Sequence, residues 1–127
     1  MSRIVLDSSA ILAFLQQEPG ADVVTKLLHR AIAGAVNVAE VQSKLIRDGM
    51  PAEEAKIAVE RCLPTIEPFD SEQASMAAAL ILPAQKLGLS LGDRACLALG
   101  LAMKAPVYTA DRAWAQLQVG IAIHLVR

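Results

Sequence analysis

The stretch IVLDSSA (residues 4–10) decides how the chain is read. Ile4, Val5 and Leu6 run directly into Asp7, and after Ser8 and Ser9 the apolar residues resume as far as Leu15. A short buried strand ending on a charge, with a helix beginning at once, produces this pattern. Asp7 then has two readings. It is an ordinary helix cap, or it stands at the carboxyl end of a strand, where α/β proteins gather their ligands. Ser8 and Ser9 are equally competent caps, so if they take that role the Asp7 carboxylate is free.

The rest of the chain extends the alternation. The helical run SAILAFLQQ is punctuated by Pro19 and Gly20, and ADVVTKLLHRA spaces its apolar residues for a second helix. A short strand is predicted at residues 33–36. NVAEVQSKLIRDG then reads as a helix stopped by Gly49, and Pro51 opens another that runs to Pro64. TIEPF reads as a strand whose Pro68 marks an edge or an end. Asp70 and Gln73 form a capping pair for the helix SEQASMAAALIL. The apolar helix DRACLALGLAMK follows, then a strand in PVYTA, a helical turn in DRAW and a last buried strand in GIAIHLV. Five short strands separated by helices describe an α/β fold with a mostly parallel five-stranded sheet covered by helices.

No repeat, low-complexity tract or linker divides the sequence, so residues 1–127 read as one domain large enough to bury a core unaided. Hydrophobic residues make up 54% of the chain and aromatics only 3%, a profile of helix-rich, tightly packed proteins. The uncharged run between Glu72 and Lys86 is too short to span a bilayer, and three apolar residues before Asp7 make no signal-peptide core. Cys62 and Cys96 match no metal or redox spacing, so both read as buried reduced thiols of a cytoplasmic protein. Net charge is −1, which does not advertise a nucleic-acid partner. If four of the thirteen acids served a metal site, however, nine would remain against twelve Lys and Arg. Charge alone decides nothing.

Four acids deserve comparison. Asp7 ends the first strand, and Asp111 closely follows VYT, so a parallel sheet brings both to the same edge. Glu40 lies in NVAE and Asp93 in SLGD, and both spacings also match helix-capping pairs. Singly, each acid is more simply a cap. Together they would converge on one rim, where two carboxylates ~5 Å apart repel by ~3 kcal/mol at an effective dielectric of ~20. Such a group holds protons or binds cations. Carboxylate ligation without Cys or His is what Mg²⁺ or Mn²⁺ prefers. His29 falls in a helical pattern and His124 in the last strand, so neither looks like a ligand.

With these motifs assembled, the sequence resembles the PIN-domain family, and most closely the VapC-type toxins of prokaryotic toxin–antitoxin pairs. The resemblance rests on IVLDSSAILAFL, VNVAEV, LSLGDRACLALGLA and PVYTADRAW, in that order along the whole chain. It implies a three-layer α/β/α domain with Asp7, Glu40, Asp93 and Asp111 as metal-binding and catalytic acids. Ser8 and Thr109 match polar positions that support the site in relatives. Where some relatives carry a further acid just after Asp111, this chain has Arg112, a departure that bears on a second metal. The implied activity is a Mg²⁺-dependent endoribonuclease, with transfer RNA the substrate the family suggests. The implied partners are a VapB-type antitoxin and a second copy of the chain. In relatives, the region matching residues 44–61 forms a clip serving the dimer, the antitoxin groove and RNA binding.

The residues allow a concrete mechanism within that resemblance. A metal-activated water would attack in line and leave a 3′-hydroxyl and a 5′-phosphate. Arg94 and Arg112 adjoin proposed ligands and are candidates for RNA backbone contacts or for salt bridges to the acids. Trp114 reads as core. Other chemistries fit less well. DSS lacks the second acid that aspartyl phosphotransfer usually wants, GLSLG fits neither glycine fingerprint, and no G-x-S-x-G elbow is present. The rival from another class is a non-catalytic PIN-like module that binds RNA or protein.

Overall fold

The computed structural model describes residues 2–127. Its five strands are β1 (Ile4–Leu6), β2 (Ala31–Gly34), β3 (Thr65–Glu67), β4 (Val107–Thr109) and β5 (Ile123–Leu125). They form one sheet in the order β3-β2-β1-β4-β5, with every pairing parallel. The helices are α1 (Ser8–Leu15), α2 (Ala21–Leu27), α3 (Ala35–Arg47), α4 (Ala52–Cys62), α5 (Ser71–Ala79), α6 (Ile81–Gln85) and α7 (Leu91–Met103). Leu28–Arg30 and Arg112–Gln116 are 3-10 turns.

Strand periodicity of two divides the interior into two cores. Ile4, Leu6, Ala31 and Ala33 face a cluster with Ile11, Val24, Val41 and Val59 of α1 to α4. Val5, Ile32 and Val107 face the opposite way, onto Leu97 and Leu99 of α7 and the fully buried Trp114. This is the three-layer α/β/α arrangement expected from the sequence. β1 is central and wholly buried, which explains its uninterrupted apolar run.

The chain winds from β1 outward to β3, then returns to lay β4 on the other side of β1. The strand order therefore reverses between β1 and β4, and beyond the carboxyl ends of the strands at such a switch point α/β proteins gather their ligands. Asp7 and Asp111 flank this point.

Several local expectations shift. The second strand occupies Ala31–Gly34 rather than residues 33–36, because α3 already begins at Ala35 with Gly34 as its cap. The helix expected to run through residues 71–82 breaks at Leu80. Pro83 has no N–H to offer the carbonyl four residues earlier, so α5 cannot pass through it. β3 is an edge strand, as Pro68 suggested. β5 is the other edge, and His124 and Leu125 are exposed, so the last strand is not buried as its apolar sequence indicated.

Candidate active site

Asp7 leaves β1 in extended conformation and caps α1 itself, its Oδ1 accepting from the Ala10 N–H at 2.8 Å. The serines do not relieve it of that role. Ser9 instead supports it, with Oγ 2.8 and 2.9 Å from the two carboxylate oxygens. Thr109, buried at the end of β4, donates to Asp7 Oδ2 at 2.6 Å. Each hydroxyl also accepts a backbone N–H, from Ala110 to Ser9 at 2.9 Å and from Asp111 to Thr109 at 3.0 Å. Those bonds turn both hydroxyl protons toward Asp7.

The carboxylate is only 3% exposed. Burial pushes its pKa from 3.8 up to about 6, against the lowering effect of the Thr109, Ala10 and Ser9 bonds, and the Asp93 charge adds to the rise. A group raised this far despite three donors marks a site where desolvation dominates.

Asp93 stands in the first turn of α7. Its Oδ2 accepts from the Ser90 N–H at 2.9 Å while Ser90 Oγ accepts from the Asp93 N–H at 3.2 Å, a reciprocal capping box. The capping reading of SLGD therefore holds, and the cap leaves the carboxylate near its acidic neighbours. Burial raises the Asp93 pKa, the Ser90 bonds lower it, and the charges of Glu40 and Asp111 raise it. Asp111 caps the following 3-10 turn, its Oδ1 accepting from the Ala113 N–H at 3.0 Å.

Glu40 lies in the second turn of α3. Its Oε1 accepts from Ser8 Oγ at 2.5 Å and from Asn37 Nδ2 at 3.0 Å. Asn37 is not the helix cap that NVAE suggested. It sits inside α3, is 1% exposed, and extends Nδ2 also to Ser8 Oγ at 3.1 Å and to the Gly92 carbonyl at 3.1 Å.

The four acids thus lie at the carboxyl edge of the sheet within reach of one another's charge, and Thr109 bridges the Asp7 carboxylate and the Asp111 backbone. Among the described residues none of them pairs with Lys, Arg or His; the ion pairs are Arg3–Glu67, Lys44–Asp48 and Arg127–Glu18. All-oxygen donors with uncompensated negative charge fit a hard divalent cation. The fit is one of chemistry. Among the described residues no three His, Cys, Asp or Glu side chains are gathered closely enough to hold an ion as they stand.

Ser8 supports Glu40 rather than Asp7, and Thr109 supports Asp7 and the Asp111 backbone. Arg94 turns to α5, donating to the Ala77 carbonyl at 2.9 Å with its Nε buried and unpartnered. Among the described residues it makes no salt bridge to the acids. Arg112 is exposed at the start of its turn. His29 precedes β2 at the opposite edge of the sheet, and His124 stacks on Tyr108 with ring centroids 4.8 Å apart. Cys96 is fully buried, with its thiol pushed well up by burial first and then by the charges of Asp7, Asp93 and Glu40. An open groove of about 780 Å³ lies away from the acids between α1, the Leu28–Arg30 turn and α4. Of the acids, Asp7 is buried, Asp93 half-buried, and Glu40 and Asp111 exposed.

Sequence reasoning missed Ser9, Asn37 and Gly92 as parts of the site. Their motifs were in view, but helix phase and a missing side chain leave no signal in composition or spacing.

A family model described as PIN domain matches residues 4–120. The chain belongs to the PIN domain family. No curated protein sequence matches it significantly. Among solved structures, this PIN domain is similar to DNA-bound VapBC from Salmonella typhimurium, with TM-score 0.76, 16% identity and complete coverage of both chains. VapC20 from Mycobacterium tuberculosis, a sarcin–ricin loop cleaving toxin, matches with TM-score 0.73 and 13% identity over 93% of this chain and 98% of its own. FitAcB from Neisseria gonorrhoeae gives TM-score 0.66 and 22% identity over 95% and 96% of the two chains. Identities this low carry the fold alone. Among the described residues no helix is long and apolar enough to cross a membrane.

Proposed function

We propose that this PIN-domain chain is a VapC-type toxin, an endoribonuclease dependent on Mg²⁺ or Mn²⁺ and restrained by a VapB-type antitoxin. One observation carries the reading: four carboxylates share the carboxyl edge of the sheet with no basic partner among the described residues, and the most buried of them is pushed up to about 6. A purely structural cluster of caps would not need four acids in mutual repulsion. The similarity to VapBC and VapC structures supports the toxin assignment.

Asp7 and Asp93 would hold the ion, with Glu40 and Asp111 completing the set. The bound ion would supply positive charge at the scissile phosphate and lower the pKa of a water. Asp7, locked by Ser9, Thr109 and the Ala10 N–H, keeps a fixed position in a dry environment. We assign Glu40 the proton of the attacking water, because it is exposed and only its Oε1 is hydrogen-bonded among the described residues. Arg112 is the cation free to meet an RNA phosphate. The groove bounded by Phe14, Leu15, Leu28 and Leu63 supports the antitoxin half of the reading, since an apolar trough suits an amphipathic helix. Exposed Leu82 and Leu91 are apolar surface that a second copy would cover.

RNA incubated with the purified protein and Mg²⁺ or Mn²⁺ should be cut to 5′-phosphate products, and EDTA should stop the reaction. The rival reading, a non-catalytic binding module, draws on the carboxylates not being gathered round one point. Binding of RNA without cleavage in either divalent ion would favour it.

A further inference from the structure

Glu40 reaches the acid cluster from the second turn of α3, and a flexible side chain there has no reason of its own to hold one direction. Two features fix it. Asn37 Nδ2 spends its hydrogens on acceptors, Glu40 Oε1 at 3.0 Å and the Gly92 carbonyl at 3.1 Å, with Ser8 Oγ also in reach. Those acceptors determine the amide's orientation, since the reverse flip would aim Oδ1 at a carboxylate and a carbonyl. Oδ1 is left buried without a partner, a cost the fold tolerates. The second feature is an absence of atoms. All three atoms of the Glu40 carboxyl group lie where the first side-chain carbon of residue 92 would stand, and that residue is glycine.

We propose that Asn37 and Gly92 are positioning residues for Glu40: Asn37, with Ser8, pins Oε1, and the bare Gly92 backbone provides the berth in which the rest of the carboxylate, Oε2 foremost, is seated. The inference rests on the metal-dependent reading of this site and deepens it. The α3 helix thereby docks on α7 through the carboxylate that the chemistry uses.

The two residues act from opposite sides of the carboxylate, so two variants test them separately. Asn37→Ala removes the donor. Gly92→Ala adds the methyl group; since the three atoms nearest to it all belong to the far end of a flexible side chain, Glu40 swings away and the helix gains a better former than glycine. Mn²⁺ affinity measured by titration calorimetry, without RNA, should weaken about 10-fold or more in both variants. Gly92→Ala should unfold no earlier than the parent. In the Glu40→Gln background Asn37→Ala should add no further loss in Mn²⁺ affinity or RNA cleavage, because the two act as one unit.

Unchanged Mn²⁺ affinity in well-folded Asn37→Ala and Gly92→Ala proteins, or a fully additive double variant, would overturn the proposal while leaving the nuclease reading intact. If the parent neither binds Mn²⁺ nor cuts RNA, the nuclease reading fails instead. Crystal structures of the two variants then decide the positioning claim alone. Glu40 displaced from Gly92 supports it, and Glu40 unmoved overturns it.

Discussion

Asp7 is ringed by hydrogen-bond donors yet nearly sealed from solvent, and the two influences oppose each other. Burial prevails, raising its pKa from 3.8 to about 6. The folded protein therefore keeps a proton on Asp7 at pH values where the unfolded chain has lost it. The contribution of Asp7 to stability is greatest below about pH 4 and falls as pH rises to about 6. A shift of roughly two units corresponds to about 3 kcal/mol. Denaturant titrations in EDTA should show wild-type stability declining over that window, with the decline largely removed in Asp7→Asn; equal slopes would contradict the assignment. Thr109→Val keeps the shape and deletes the 2.6 Å bond. It should move the Asp7 titration higher still and cost about 1.5–3 kcal/mol at neutral pH, measured by the same unfolding curves. The position of Asp7 was legible because a strand ended on it. Which serine serves it was not. Ser8 and Ser9 are chemically identical, and only their phase on α1 sends one to Glu40 and the other to Asp7.

The elements of the site are joined where helices begin, and there sequence signals served two purposes at once. The pair Ser90 and Asp93 is both a capping box and part of the acid cluster. Ser90→Ala should therefore lower stability by about 1 kcal/mol in denaturant unfolding while the chain still folds. It also removes the Ser90 hydroxyl that holds the Asp93 N–H, while the Ser90 N–H still reaches Oδ2, so Mn²⁺ affinity should change with it; a variant matching wild type in both measurements would contradict the dual role. NVAE looked like the same kind of signal and was not. Gly34, three residues earlier, already ends β2 and caps α3, so Asn37 falls inside the helix and its amide is released for Glu40. Spacing alone cannot separate an Asn at a cap from an Asn one turn beyond it. The break at Leu80 was legible in principle, since Pro83 forbids the continuous helix.

At the scale of the whole molecule, alternating strands and helices disclosed the layers, and the apolar run of β1 disclosed its central place. The edge character of β5 was not visible, because apolar residues at a sheet edge read the same as buried ones. Topology explains why the acids lie together: the chain reverses beside β1, and the starts of α1, α7 and the turn after β4 fall at one edge of the sheet. Such a cluster of acids should gain stability from a divalent ion. At a concentration 100 times its dissociation constant, Mg²⁺ should stabilise the protein by about 2.7 kcal/mol, a gain read in unfolding curves and lost in Asp93→Asn. If these carboxylates cut RNA, the reaction depends on Asp7 and Asp93. Wild type, Asp7→Asn and Asp93→Asn are incubated with RNA and Mg²⁺ after each is shown to be folded. Cleavage by wild type alone is the expected result. Cleavage by both variants at the wild-type rate would contradict it.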